Sequence, residues 1–127
     1  MTSTAASTAA TSAFRDVATL LCLDSNTNGN AYTLGCNGGN FQNWEFAGSN
    51  TASTIRNVST GFCLDSNAEG SVYTLRCNGG NFQNWQISGS GGRVRNVATG
   101  LCMDSNTEGK LYALGCNGGN FQNWQHR

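Results

Sequence analysis

Apolar and polar residues alternate along this chain in short stretches and never in long ones. Residues 14–19, 21–24, 31–34 and 42–46 read as β-strands, each a brief run rich in aromatic, aliphatic and β-branched side chains. Asn26-Thr27-Asn28-Gly29 and Asn37-Gly38-Gly39-Asn40 separate them, and both strings are turn chemistry, since Gly and Asn tolerate the positive φ of tight turns. No stretch carries the 3.6-residue periodicity of an amphipathic helix. The 17 Gly would each weaken a helix by about 1 kcal/mol. The pattern predicts an all-β protein.

The same pattern recurs three times. Phe14-Arg15-Asp16-Val17 superposes on Ile55-Arg56-Asn57-Val58 and on Val94-Arg95-Asn96-Val97. Cys22-Leu23-Asp24-Ser25-Asn26 then matches Cys63-Leu64-Asp65-Ser66-Asn67 and Cys102-Met103-Asp104-Ser105-Asn106. Each copy continues to a Tyr (Tyr32, Tyr73, Tyr112), a second Cys, and an Asn-Gly-Gly-Asn-Phe-Gln-Asn-Trp run at 37–44, 78–85 and 117–124. The repeats span about 14–52, 53–92 and 93–127 of a single domain, and the change in their spacing falls in a Gly/Ser/Asn-rich connection between Trp44 and Cys63. Four strands per copy predict about twelve short strands. Propeller blades have a similar period but need about four to eight copies. Three copies close more naturally into a capped β-barrel of pseudo-threefold symmetry, the β-trefoil.

Composition narrows the class. Seven Lys and Arg balance seven Asp and Glu, and only 11% of the 127 residues are charged. Such a chain has no basic stripe with which to neutralise phosphates, so nucleic acid is not an expected partner. No apolar run approaches the roughly 20 residues that span a bilayer as a helix, so no membrane insertion is expected either. Leu, Ile, Val and Phe together make up only about 17% of the chain, a thin core that calls for reinforcement. Six cysteines offer it: Cys22 and Cys36, Cys63 and Cys77, Cys102 and Cys116 stand at one fixed spacing, and a threefold arrangement favours these local pairs. Each such bridge would contribute about 3 kcal/mol by closing its loop in the unfolded chain. The rival is a zinc site, but His126 is the single His and C-x-x-C is absent. Disulfides imply an oxidising compartment, hence a secreted protein. Residues 2–13 are all Thr, Ser and Ala, with neither the basic start nor the apolar middle of a secretory signal, and residues 1–13 are expected to form a flexible tail or linker.

Gln42-Asn43-Trp44, Gln83-Asn84-Trp85 and Gln122-Asn123-Trp124 make a more specific likeness. Three Q-x-W strings at this spacing resemble the ricin B-type lectins, carbohydrate-binding β-trefoils, over about residues 14–124. Within that family the Leu-Asp-Ser-Asn, Tyr-Thr-Leu and Asn-Gly-Gly strings look like the actinohivin-like, mannose-binding members. The resemblance implies that Trp44, Trp85 and Trp124 belong to the core. It also implies one sugar pocket per repeat, built from Asp24, Tyr32 and Asn37, from Asp65, Tyr73 and Asn78, and from Asp104, Tyr112 and Asn117, with Leu34, Leu75 and Leu114 as apolar walls.

The chemistry of those residues agrees with a sugar ligand. A carboxylate accepts from two vicinal hydroxyls in charge-assisted bonds, an Asn amide both donates and accepts, and a Tyr adds a hydroxyl beside a flat apolar face. The competing reading is that each Asp caps its own turn through side-chain-to-backbone bonds. Galactose-binding relatives offer a Trp platform near the second Cys, where Leu34, Leu75 and Leu114 stand here, and an Asn before the Gln, where Phe41, Phe82 and Phe121 stand. Mannose-type glycans are therefore the expected partners. Leu20 occupies the place of Gly61 and Gly100, which predicts a different entry to the first hairpin.

Other chemistries fit poorly. Asp24-Ser25-Asn26-Thr27-Asn28-Gly29 matches the opening of an EF-hand loop, but the twelfth position holds Gly35, Arg76 or Gly115 in place of the bidentate Glu. No cofactor or metal is expected. A glycosidase needs two carboxylates about 5–10 Å apart, whereas the three repeated Asp fall in separate units. His126, next to the last residue, is poorly placed to serve as a base. The expectation is a binding module and not an enzyme: a multivalent lectin, or a module that targets a secreted glycoside hydrolase to a polysaccharide. A protease-inhibitor or cytokine-like trefoil would leave the repeated Asp, Tyr and Asn unexplained.

Overall fold

In the computed structural model, which describes residues 10–126, the chain runs through fourteen short strands. The first repeat supplies β1 (Ala10–Ser12), β2 (Arg15–Asp16), β3 (Leu21–Ser25), β4 (Ala31–Gly35) and β5 (Trp44–Phe46). The second supplies β6 (Ala52–Ser53), β7 (Arg56–Asn57), β8 (Cys63–Ser66), β9 (Val72–Leu75) and β10 (Trp85–Ile87). The third supplies β11 (Gly92–Asn96), β12 (Cys102–Ser105), β13 (Leu111–Leu114) and β14 (Asn123–Gln125). Twelve were expected. The excess arises because the opening strand is broken in two in the first and second repeats, β1/β2 and β6/β7, and continuous only in the third.

Opening and closing strands alternate around a closed ring. β1 pairs β5, β5 pairs β7, β6 pairs β10, β10 pairs β11, β11 pairs β14, and β14 returns to β2, all antiparallel. Closure leaves the barrel without an exposed edge. The hairpins β3–β4, β8–β9 and β12–β13 stand over one end of it. Their tips are linked in a cycle: the Gly29 carbonyl accepts from Thr74 N–H at 2.9 Å, that of Gly70 from Ala113 at 2.8 Å, and that of Gly109 from Thr33 at 2.9 Å. This is the β-trefoil.

The core is a threefold stack. Phe14, Ile55 and Val94, then Leu23, Leu64 and Met103, then Trp44, Trp85 and Trp124 are each fully buried. Each indole N–H donates to a backbone carbonyl of its own hairpin, Leu23, Leu64 or Met103, at 3.0–3.1 Å. A buried tryptophan removes about 150–250 Å² from water, so these three dominate a small core. The disulfides are Cys22–Cys36, Cys63–Cys77 and Cys102–Cys116, the local pairing that the spacing favours.

Three expectations need correction, and His126 has a place in the core that the sequence did not show. Ala10–Ser12 lies within the expected tail, yet it pairs with Trp44–Phe46 and belongs to the barrel; residues 1–9 and Arg127 lie outside the described residues. The run from 14 to 19 holds only two strand residues, because Asp16 Oδ1 accepts from Ala18 and Thr19 N–H and turns the chain. Gln42 stands in a one-turn 3-10 helix, Asn40–Gln42, and not in the strand that follows. His126 occupies the layer held by Phe46 and Ile87 in the other repeats. It packs against the rings of Phe14 and Phe46 at 5.2 Å and donates through Nε2 to the Ser88 carbonyl at 2.9 Å.

Candidate functional site

Strand alternation divides each hairpin into two faces. In the first, Leu23 and Thr33 are directly paired and turn to the core, whereas Cys22, Asp24, Tyr32 and Leu34 share the other face. The register pairs Asp24 with Tyr32, Asp65 with Tyr73, and Asp104 with Tyr112. The fold thus brings together in each repeat two residues that the sequence keeps eight positions apart.

The aspartates are buried, each only 4% exposed, and the partner that makes this tolerable is the Gln of Q-x-W. Gln42 Nε2 donates to Asp24 Oδ2 at 2.8 Å and to the Gly35 carbonyl at 3.0 Å, and its Oε1 accepts from Asn37 N–H at 2.8 Å. Gln83 makes the corresponding bonds to Asp65, Arg76 and Asn78, and Gln122 those to Asp104, Gly115 and Asn117. Asn37, Asn78 and Asn117 each turn Oδ1 back to the N–H two residues on, at 2.8 Å, which leaves the amide Nδ2 to donate elsewhere. Asp65 Oδ1 accepts from Ser66 N–H, so turn-capping explains part of that residue's role. Oδ1 of Asp24 and of Asp104 has no hydrogen-bond partner among the described residues.

Each Tyr faces its aspartate. Burial, and then the negative charge of Asp24, Asp65 or Asp104, pushes the phenols of Tyr32, Tyr73 and Tyr112 above 10; at Tyr112 Asp16 adds to this, and at Tyr32 a hydrogen bond from Asn26 offsets part. All three hydroxyls are therefore neutral donors at physiological pH. In the third repeat, Asp104, Tyr112 and Asn117 line one cavity of about 190 Å³ together with Ser105, Asn106, Gly119 and Phe121. Leu114 is on the same hairpin face but outside that lining, 49% exposed. The apolar wall is Phe121, whose counterparts Phe41 and Phe82 are 41% and 47% exposed. A larger depression of about 550 Å³, where the first and third repeats meet the end of the second, involves Arg15, Ser90, Gln125 and His126 and gathers none of the repeated acidic residues.

The family model of the ricin-type β-trefoil lectin domain matches residues 10–127. The chain belongs to this family. The ricin-type domain is a carbohydrate-binding, non-catalytic fold, and it recurs as a module in toxins and enzymes. Among solved structures, a designed threefold-symmetric protein, ThreeFoil, superposes with a TM-score of 0.80 at 22% identity, over 91% of this chain and 96% of that one. SeviL bound to asialo-GM1 saccharide gives 0.75 at 18%, over 94% and 98%. An exo-β-1,3-galactanase from Clostridium thermocellum gives 0.78 at 20%, over 91% of this chain but only 29% of that enzyme. No curated protein matches the chain significantly in sequence.

Two features of this ricin-type domain escaped sequence reasoning. The Gln enters the sequence reading only as part of the Q-x-W string, yet it is the group that holds the carboxylate in place; nothing in a single sequence links residues 18 positions apart. Phe121 was noted only as a departure from galactose-binding relatives, because its direction depends on the 3-10 turn that precedes β14. The EF-hand-like string is explained by local geometry, since Asn26 Oδ1 accepts from Asn28 and Asn30 N–H and shapes the hairpin tip. Leu20 leaves the entry to the first hairpin unchanged in course: it adopts φ 65°, close to Gly61 at 76° and Gly100 at 73°. What changes is the arginine, for Arg56 and Arg95 donate to the carbonyls of Gly61 and Gly100 at 3.2 Å, and Arg15 makes no such bond to Leu20.

Proposed function

We propose that this domain is a multivalent lectin with one sugar pocket per repeat, directed at mannose-containing glycans and acting outside the cell. The observation that carries the reading is the repeated Asp–Gln network, with an accessible carboxylate oxygen beside a neutral Tyr donor in the cavity at Asp104. A buried carboxylate fixed by a neutral amide keeps its charge for hydroxyl donors, and Asn117 and Phe121 supply an amide and an apolar face. Mannose is favoured because the strings around Asp24, Tyr32 and Asn37 resemble actinohivin-like lectins and because no Trp platform stands beside the second Cys. Leu34, Leu75 and Leu114 act at the outer rim. The three disulfides favour a secreted location.

A shallow pocket of this kind binds a monosaccharide at about millimolar strength, near −4 kcal/mol. Engagement of several branches at once raises apparent affinity by about 10²–10⁴ without new contacts. The test is a glycan array with the wild type and with Asp24→Asn, Asp65→Asn and Asp104→Asn, singly and combined. Stepwise loss of signal on branched oligomannose supports the reading, and a folded triple variant that binds as the wild type does refutes it. The galactanase, in which this fold makes up a minor part of the chain, favours a second reading: a module that carries a glycoside hydrolase to its polysaccharide. Binding to an insoluble polysaccharide, with none to branched oligomannose, would select it.

A further inference from the structure

The threefold pattern fails at one buried position beneath the third pocket. Asn57 and Asn96 each use Oδ1 to accept two turn N–H groups, and each donates Nδ2 to the carbonyl of a pocket phenylalanine: Asn57 to Phe41 at 2.8 Å and Asn96 to Phe82 at 2.9 Å. These bonds tie the pocket of one repeat to the opening strand of the next. Asp16 is the third member of the set, fully buried, with Oδ1 bound to Ala18 and Thr19 N–H in the same way. Its Oδ2 corresponds to the Asn Nδ2, and as a carboxylate oxygen it has nothing to donate to Phe121. Instead it accepts from the Ser105 hydroxyl at 3.1 Å. The counterparts of Ser105 have no such tie: among the described residues Ser25 Oγ is buried without a partner, and Ser66 Oγ reaches only its neighbour's carbonyl at 3.4 Å.

We infer that Asp16 sets the third pocket apart as a pH-responsive variant of the other two: as a carboxylate it holds Ser105 and leaves the Phe121 wall untied, and as an acid it donates to the Phe121 carbonyl, as Asn57 and Asn96 donate to theirs. No covalent step is involved, only one proton. Burial is the main influence that raises the Asp16 carboxyl above 3.8; Thr19, Ser105 and Ala18 pull it back, and the negative Asp104 on β12 raises it further. Asp16 in turn acts on Tyr112 of β13, which stays neutral, and β3, β14 and the 120–122 turn present no ionisable group that acts on it. On acidification the third pocket gains a fixed wall while its own Asp104 is relieved of a like charge. This deepens the lectin reading and rests on it for the ligand.

Amide spectra of the full chain, wild type and Asp16→Asn, followed from pH 7.5 to pH 4 test the device without a sugar. The Ser105 and Gln122 amides should titrate together in the wild type, with a midpoint above 3.8, and should stay still in the variant. Addition of α1,2-mannobiose then compares Tyr112 with Tyr73: acidification should tighten the third pocket relative to the second about two- to tenfold in the wild type, the scale of one hydrogen bond, and leave the ratio constant in the variant. Amides that do not move in the wild type, or a ratio that shifts equally in both proteins, would overturn the inference. If mannobiose perturbs no Tyr in either protein, the lectin reading fails, and the sugar-free titration alone decides this one.

Discussion

Replacing Gly70 by Ala tests the ring of hairpin tips that holds the three units in register. Gly70 has φ +89°, and a Cβ built there would lie 2.5 Å from the carbonyl oxygen of Ala113, where ordinary contact begins at 3.4 Å. Two costs follow. The left-handed conformation costs a residue with a Cβ about 1–2 kcal/mol. The collision is with backbone, which cannot rotate away as a side chain can, so one tip must retreat by about an ångström. That retreat sacrifices the 2.8 Å bond from Ala113 N–H to the Gly70 carbonyl, about 1 kcal/mol. The total is about 2–3 kcal/mol. Gly79→Ala provides the control, since Gly79 has φ +76° and nothing within 4 Å of its Cβ position. Both variants gain the same small benefit from a stiffer unfolded chain, so it cancels in the comparison. Urea denaturation with disulfides intact should place Gly70→Ala about 1 kcal/mol or more below Gly79→Ala at equal m-values. In a domain of this size that is roughly 4 °C in Tm. If the two variants lose the same stability, the close approach of the tips is not part of what holds the cap together.

Leu20→Gly should stabilise the protein by about 0.5–1 kcal/mol, because relief of the strained φ outweighs the entropy that glycine adds to the unfolded chain; a lower urea midpoint than wild type would contradict this. Paired replacement of Cys63 and Cys77 by Ala should cost about 3 kcal/mol, and reduction of all three bridges about three times as much, comparable with the whole stability of a small domain. Far-UV and near-UV circular dichroism at 37 °C with and without reductant checks it, and a native near-UV signal in the reduced chain would show that the core suffices alone.

The fold was legible where the sequence repeats itself. Hydrophobic alternation located the hairpins to within a residue, since β3 and β4 each extend one residue beyond the runs read from the pattern. The fixed cysteine spacing located the bridges, and Trp44, Trp85 and Trp124 are the core residues the Q-x-W likeness implies. What could not be read depends on backbone or on distant partners. Ala10–Ser12 has no apolar alternation, and its strand character comes entirely from pairing with β5. The breaks at 13–14 and 54–55 likewise arise from the barrel, where each opening strand passes from one closing strand to another. At the candidate site the hairpin register sets Asp104 opposite Tyr112, but that Phe121 and not Leu114 lines the cavity depends on a turn whose direction no local pattern encodes. Ala113 in place of Thr gives up no hydrogen bond, for a reason visible only in three dimensions: Thr33 and Thr74 bury hydroxyls that have no partner among the described residues.

One three-residue frame therefore serves both the core and the candidate site. The Trp of each Q-x-W anchors its repeat to the core through an indole bond to a hairpin carbonyl, and the Gln two residues earlier fixes the acidic group on the outer face of the same hairpin. The candidate site hangs from the same three-residue string as the core, so a ligand of the proposed kind would find the carboxylate already fixed. A change at the Gln or the Trp would therefore disturb the core and the candidate site together. The repeats do diverge where the frame does not reach, as at Leu20, at Ala113, at His126, and at Asp16, where an oxygen stands in place of an amide nitrogen and accepts from Ser105.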